Sequence, residues 1–507
     1  MNTQTGQEKI GQFIKDLRLR KQLTQTEFAK ALETSQSAVA RIESGNQNLT
    51  TSLLEKISDA LNHKIVSLSD NTLDFRITGG KKLSGSIQTN TSKNGSVALL
   101  CASLLNKGTT TLHGIARIEE VYRVIEILQS IDIDVKWTDD NILRISPPKE
   151  FAMDELDIEA ARRVRSSLMM IGPLSHALDT FNLPHAGGCK MGERTIAAHK
   201  HVFESLGLAI STNEDDYEIT HTQEDPVDEV IMYEASDTAT INALLRAARL
   251  ERKTKISFCT PNYQVQDICF FLEKLGVEID GIGTSTLIVH GVSDIDTDVV
   301  HENSEDPIES MMFISAALVT NSELEITRCP IDFLKLELLK LEKMGAEIEQ
   351  SDEYTSTNGR TKLVDLTVHP SELKALDVKI HALPYPGINA DNLPFFVPIA
   401  TQAEGTTKIN DWMWENRAIY FTELNRFGAD IELADPHRVY INGPTEFRAS
   451  QVVCPPALRP SVIILIAMLA AEGTSVLRNV YSIQRGYENI AERLNDIGAD
   501  IEIMHNI

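Results

Sequence analysis

Along the chain, one eight-residue phrase of apolar and polar positions recurs six times: apolar-x-x-apolar-Gly-apolar-x-apolar. The copies run over 128–135, 203–210, 272–279, 341–348, 424–431 and 494–501. Two apolar residues three apart share one face of a helix. The glycine then supplies the left-handed conformation that closes a helix, and apolar-x-apolar after it opens a half-buried strand. Each copy therefore predicts a helix end followed by a strand. The first has Asp132 at the glycine position, a residue that also visits that region. The turn positions 132, 207, 276, 345, 428 and 498 are spaced by 75, 69, 69, 83 and 70 residues. A unit near 70 residues is too long for a solenoid repeat and predicts a repeated α/β module. Glycine–threonine turns at Gly108, Gly405 and Gly473 precede short alternating runs such as Thr111-Leu-His and Val476-Leu-Arg, which read as strands.

The first 70 residues have a different pattern. Lys9 to Arg20 spaces its apolar residues for one helix face. Thr24 with Glu27 makes a capping box for a second helix through Phe28, Ala29 and Leu32. Thr34 or Ser35 caps a third helix, Gln36–Glu43, closed by Gly45, and Ser52–Leu61 is a fourth. A small all-α domain over 1–70 is expected.

Charge separates the same two parts. Residues 1–70 carry nine Lys/Arg and eight Asp/Glu, a net of +1, whereas the remainder carries 39 and 65, a net of −26. The acidic part reads as a soluble surface, and the contrast implies a different partner for the first segment. No apolar run approaches the ~18–20 residues of a membrane helix, and Ser461–Ala471 is of core-helix length only. No signal peptide is evident at the N-terminus. The six cysteines lack metal or redox spacing, and a reducing cytoplasm is the expected setting; no metal and no cofactor are expected.

Four irregular segments interrupt the repeats, and chemistry tends to occupy such segments. They are Asn90–Gly95, Ala161–Ser167, Leu183–Arg194 and Pro384–Asp391. Lys93, Arg165, Arg194, Arg417 and Arg485 are cations in an otherwise acidic chain, mostly in or beside Gly/Ser/Asn-rich turns, which suggests an anion site. Cys189 lies in a glycine-rich loop beside Lys190 and Arg194, a setting that favours the reactive thiolate. Asp391 follows a Pro-Gly turn, as a positioned base would.

The string from Leu23 to Gly45 resembles the lambda-repressor-like helix-turn-helix family. The resemblance implies that the third helix enters the DNA major groove, with Gln36, Ser37 and Arg41 at bases or phosphates and Gln25 at a phosphate. One copy reads one half-site, so a homodimer is expected. From about Asp74 to the C-terminus the segments above resemble the enolpyruvyl transferase family, in its UDP-N-acetylglucosamine 1-carboxyvinyltransferase branch. The resemblance implies an α/β fold of two domains, each of three βα units (an inverted α/β barrel), at 72–92 plus 306–507 and at 93–305. It implies phosphoenolpyruvate and a UDP-sugar as substrates. Lys93 would hold the phosphate, Cys189 would protonate the methylene carbon, Asp391 would take the hydroxyl proton, and Arg485 would bind the carboxylate. Asn94, Arg165, Arg194, Thr195, Ile196, Ala197, Ala198, Ser236, Asp306, Met413, Arg417 and Arg459 would contact substrates. The sequence departs from the family pattern at Glu234, where the family has lysine, at Ala457, and at Asp306-Pro307. These departures cluster on the acceptor side. They leave two alternatives open: a ligand-sensing regulator, or transfer to another nucleotide.

Overall fold

The computed structural model describes residues 73–187 and 195–505, and in the N-terminal part 23–32, 34–44 and isolated positions between 11 and 60. It divides into two compact units, 1–72 and 73–506.

In the smaller unit, helices Gln25–Ala31 and Gln36–Glu43 are capped as their sequences require. Thr24 and Glu27 form the reciprocal capping box. Of the two candidates for the third helix, Ser35 is the cap, its side chain accepting from the Ala38 N–H. Ile14, Phe28, Ala29, Leu32, Val39, Ile42 and Ile57 make one apolar core. The buried Arg18 and Glu43 pair across it at 2.5 Å. Gly45, the expected helix stop, lies outside the described residues, as do most positions of the first and fourth expected helices.

In the larger unit all six phrases form what their pattern predicts. Positions 132, 207, 276, 345, 428 and 498 all have positive φ, from 68° at Asp132 to 101° at Gly498. Hydrogen bonds show why. The N–H at each turn position reaches the carbonyl three residues back, as from Gly276 to Glu273. In five copies the next N–H also returns to the first apolar residue, as from Val277 to Leu272. This is the paired bonding of a Schellman helix end. The strand after each turn then takes an edge of its own sheet, giving six sheets among the described residues.

Five of these sheets share one strand order. In one of them Glu229–Ile231 lies parallel to Lys253–Ser257, followed by antiparallel Thr286–His290 and Glu278–Asp280. The first strand, Leu73–Gly79, is inserted between Gly473–Arg478 and Ile501–His505, so the start of the unit completes its last sheet. Ser86–Gln88 joins Leu324–Pro330, and Val299–Glu302 joins Thr110–His113.

Two hydrophobic cores result. One contains residues from Val97 to Val299. The other contains Phe75 to Ile87 and residues from Ile308 to Ile501, together with Tyr263. In the second, helices Pro307–Val319 and Leu458–Ala470 are apolar almost all round and pack together, as wholly buried helices must. The connections between the cores run side by side. Ser92 N–H donates to the Ser304 carbonyl at 2.7 Å, and Asp306 N–H to the Asn90 carbonyl at 2.9 Å. Among the described residues no helix is long and apolar enough to cross a membrane.

Candidate active site

A cleft of ≈ 580 Å³ is lined by Lys93, Asn94, Arg165, Thr195, Ser236, Asp391, Met413, Arg417, Arg459 and Arg485, ten of the residues singled out in the sequence. They come from stretches up to nearly 400 residues apart.

Lys93 is the first residue of helix Lys93–Ala102, where the sequence suggested an irregular segment. Ser92 starts the helix, its hydroxyl accepting from the Gly95 N–H at 2.9 Å. Gly95 must lack a side chain, since a Cβ there would stand 2.4 Å from Asn303 Oδ1. Lys93 Nζ lies 2.9 Å from Glu120 Oε2. Arg485 Nη2 approaches the same oxygen at 3.5 Å. Burial pushes the Glu120 carboxyl up, but Lys93, Arg485 and Arg459 outweigh it and hold it below its ordinary value. Asn94 donates to the Tyr263 hydroxyl at 3.1 Å.

On the other wall, a turn closed by Gly387 N–H to Pro384 O leads to Asp391, whose N–H is held by Asn389 Oδ1 at 2.9 Å. Arg459 donates to Asp391 Oδ2 at 3.1 Å, and Arg417 Nη1 lies 3.8 Å from Oδ1. Burial raises the Asp391 carboxyl, yet Arg459, Arg417 and Lys93 reverse the sign, so it stays ionised at neutral pH. The two arginines are themselves fixed. Arg417 is forked onto Asp411 at 2.5 and 2.8 Å, and Arg459 donates to the Tyr487 hydroxyl at 2.7 Å. Such charge-assisted forks hold a guanidinium plane in one orientation.

Arg165 also lines the cleft and donates to the Thr195 carbonyl at 2.8 Å. The segment around it is the helix Ile158–Arg163 followed by a 3₁₀ stretch, Ser166–Met170, and not irregular chain. Glu234 is exposed on the same wall. Burial lowers the Arg165 pKa, while Tyr217 and Glu234 oppose that shift.

Four predicted contact residues do not line the cleft. Ile196 and Ala198 turn into the core, and Ala197 opens helix Ala197–Ser205. Asp306 caps helix Pro307–Val319. Its Oδ1 accepts from the Ile308 N–H at 2.8 Å, and its Oδ2 faces the Lys93 N–H at 3.4 Å. Cys189 and Arg194 lie outside the described residues. Conversely, Glu120 and Asp237 line the cleft and were not singled out. Glu120 belongs to an ordinary Glu-Glu pair at a helix start, which by itself reads as a solvated face. Asp237 lies beside Ser236, and its carboxylate accepts from Asn262 and Gln264 at 2.8 and 2.9 Å.

On the smaller unit, Gln36, Ser37 and Arg41 are exposed on one helix. Gln25 donates to Glu43 and accepts from Gln36, each at 2.7 Å. This chain of amides links the first turns of both helices.

Comparison with known proteins agrees with these features. Residues 77–494 match the family described as EPSP synthase (3-phosphoshikimate 1-carboxyvinyltransferase), and residues 14–66 match the helix-turn-helix family. The chain belongs to the EPSP synthase family of enolpyruvyl transferases, with a helix-turn-helix domain at its N-terminus. Within the family, it is 33% identical over 432 residues to a UDP-N-acetylglucosamine 1-carboxyvinyltransferase of Bradyrhizobium diazoefficiens, covering 85% of this chain and 98% of that one. It is 32% identical to the enzyme of that name from Treponema denticola, covering 85% and 99%. In fold it is similar to the enolpyruvyl transferase NikO from Streptomyces tendae, with a TM-score of 0.75 at 23% identity over 86% of this chain and all of that one. It is also similar to EPSP synthase from Acinetobacter baumannii, with a TM-score of 0.66 at 18% identity over 85% of this chain and all of that one.

Proposed function

We propose that the protein transfers the enolpyruvyl group of phosphoenolpyruvate to the 3-hydroxyl of UDP-N-acetylglucosamine in the cytoplasm, and that its N-terminal domain binds DNA as part of a homodimer. The observation that carries the reaction is one cleft in which Arg459, Arg417 and Lys93 keep the base Asp391 ionised, with Arg485 lining the same cleft. Phosphoenolpyruvate is a small polyanion, and guanidinium forks and an ammonium group suit it. Lys93 holds its phosphate and Arg485 its carboxylate. Asn94, Arg165 and Ser236 contact the nucleotide sugar.

The reaction needs an acid at carbon and a base at oxygen. Asp391 takes the proton of the acceptor hydroxyl as that oxygen bonds to C2 of phosphoenolpyruvate. The Cys189 thiol gives its proton to C3. The Cys189 thiolate then takes a proton back from C3 as the C2–O bond to phosphate breaks, which restores the double bond and releases phosphate. This unit is read as two domains, 72–92 plus 306–507 and 93–305, and closure of one on the other excludes water from the charged intermediate.

A phosphate-release assay with both substrates tests the reading. Cys189→Ala abolishes turnover, and Asp391→Asn lowers it steeply. Full activity in either variant, or no phosphate release by the wild type, refutes it. A second reading keeps the chemistry and changes the acceptor. Glu234 on the Arg165 wall favours it, because a carboxylate there repels a diphosphate. A panel of UDP-sugars and other nucleotides in the same assay separates the two.

A further inference from the structure

We propose that Glu120 is a positioning residue for the donor subsite: its carboxylate holds Lys93 and Arg485 at one spacing and stands in for an anion until phosphoenolpyruvate arrives. The inference rests on the reading of Lys93 and Arg485 as the phosphoenolpyruvate cations.

Both cations approach the same oxygen, Glu120 Oε2, at 2.9 and 3.5 Å. Their nitrogens therefore stand no further apart than the sum of those distances, close enough to repel strongly if nothing lay between them. The groups are sheltered, with side-chain exposures of 13% for Lys93, 15% for Glu120 and 23% for Arg485. Water screens them incompletely, so the carboxylate offsets a real repulsion. All three line the cleft.

The connection also crosses between the two cores. Glu120 sits in the first turn of helix Glu119–Ser130, whose apolar face packs into one core. Arg485 follows the short helix Tyr481–Gln484, which packs on the other. Three residues earlier, the Arg117 N–H donates to Glu488 Oε2 at 3.1 Å, so two adjacent contacts join the same pair of segments. Glu120 thus fixes where the two cations meet an incoming anion, and its own charge limits how tightly that anion is held.

Replacing the carboxylate with its neutral isostere separates these effects. Glu120→Gln keeps the shape, removes the charge and leaves Lys93 and Arg485 less well ordered. Phosphoenolpyruvate binds several-fold more tightly to this variant, while kcat falls about tenfold, the signature of stronger ground-state binding with a poorer transition state. Titration calorimetry with inorganic phosphate, which needs no acceptor, gives the same order: Glu120→Gln binds it more tightly than the wild type. Glu120→Asp keeps the charge on a shorter stem, so its phosphoenolpyruvate affinity stays near that of the wild type while kcat falls.

A wild type that binds no phosphoenolpyruvate by calorimetry overturns the donor-site reading, and with it this one. A wild type that binds it, beside a Glu120→Gln variant with unchanged affinity for both anions, overturns the role of Glu120 alone. If Glu120→Gln does not fold, Glu120→Asp decides: wild-type kcat in that variant refutes the positioning role.

Discussion

Asp306 offers a quantitative test of how the fold uses a buried carboxyl. It is 6% exposed, and burial pushes its pKa from 3.8 up to about 6, with Glu309 adding to the rise and Arg459 opposing it. The folded protein therefore binds a proton that the unfolded chain has released, across the window between 3.8 and about 6. Stability contributed here is greatest below that window and declines as pH rises through it. A shift of about two units corresponds to about 3 kcal/mol, of which about 2 kcal/mol falls between pH 4.5 and 7.5.

Asp306→Asn removes the charge and keeps an oxygen for the Ile308 N–H, and Asn is itself a good N-cap. Its amide would face the Lys93 N–H, but protonated Asp meets that same N–H, so the mismatch largely cancels in the pH dependence. The assay is urea unfolding followed by tryptophan fluorescence at pH 4.5 and 7.5. All three tryptophans, 137, 412 and 414, belong to the larger unit, so the signal reports that unit. Relative to the wild type, the variant gains about 2 kcal/mol on going from pH 4.5 to 7.5. Parallel pH dependences would refute the reasoning, as would a gain of opposite sign.

Asp391→Asn lowers kcat by about 10²–10⁴-fold, the usual contribution of a general base, with phosphoenolpyruvate affinity by calorimetry little changed. At Gly276 an added Cβ meets nothing within 4 Å, whereas at Gly345 it lies 2.8 Å from the Glu372 carbonyl. Gly276→Ala therefore costs about 1–2 kcal/mol of backbone strain alone, and Gly345→Ala costs more in the same urea assay. In the N-terminal unit, Glu43→Ala leaves buried Arg18 without its carboxylate. A loss of about 3–5 kcal/mol unfolds that unit and abolishes DNA binding, measured by fluorescence anisotropy, while the tryptophan transition stays in place.

The repeated phrase was legible because everything it requires is local. A helix end needs two apolar residues on one face and a residue that tolerates positive φ, and all lie within eight positions. Capping at Thr24 and Ser35 was legible for the same reason. Local pattern also marked most cations of the cleft, since cations in turns of an acidic chain are conspicuous. It does not tell whether Asp306, which caps helix Pro307–Val319, also meets a substrate, because the two uses look alike along the chain. It passed over Glu120, whose neighbours in the chain are those of an exposed helix start. Only the tertiary structure brings Arg485, 365 positions further along, to within 3.5 Å of that carboxylate. The sequence by itself determined the six units and where their helices stop. How Leu73–Gly79 completes the last sheet, and which charges face one another across the cleft, was decided by packing, because burial and electrostatics depend on distance in space and not along the chain.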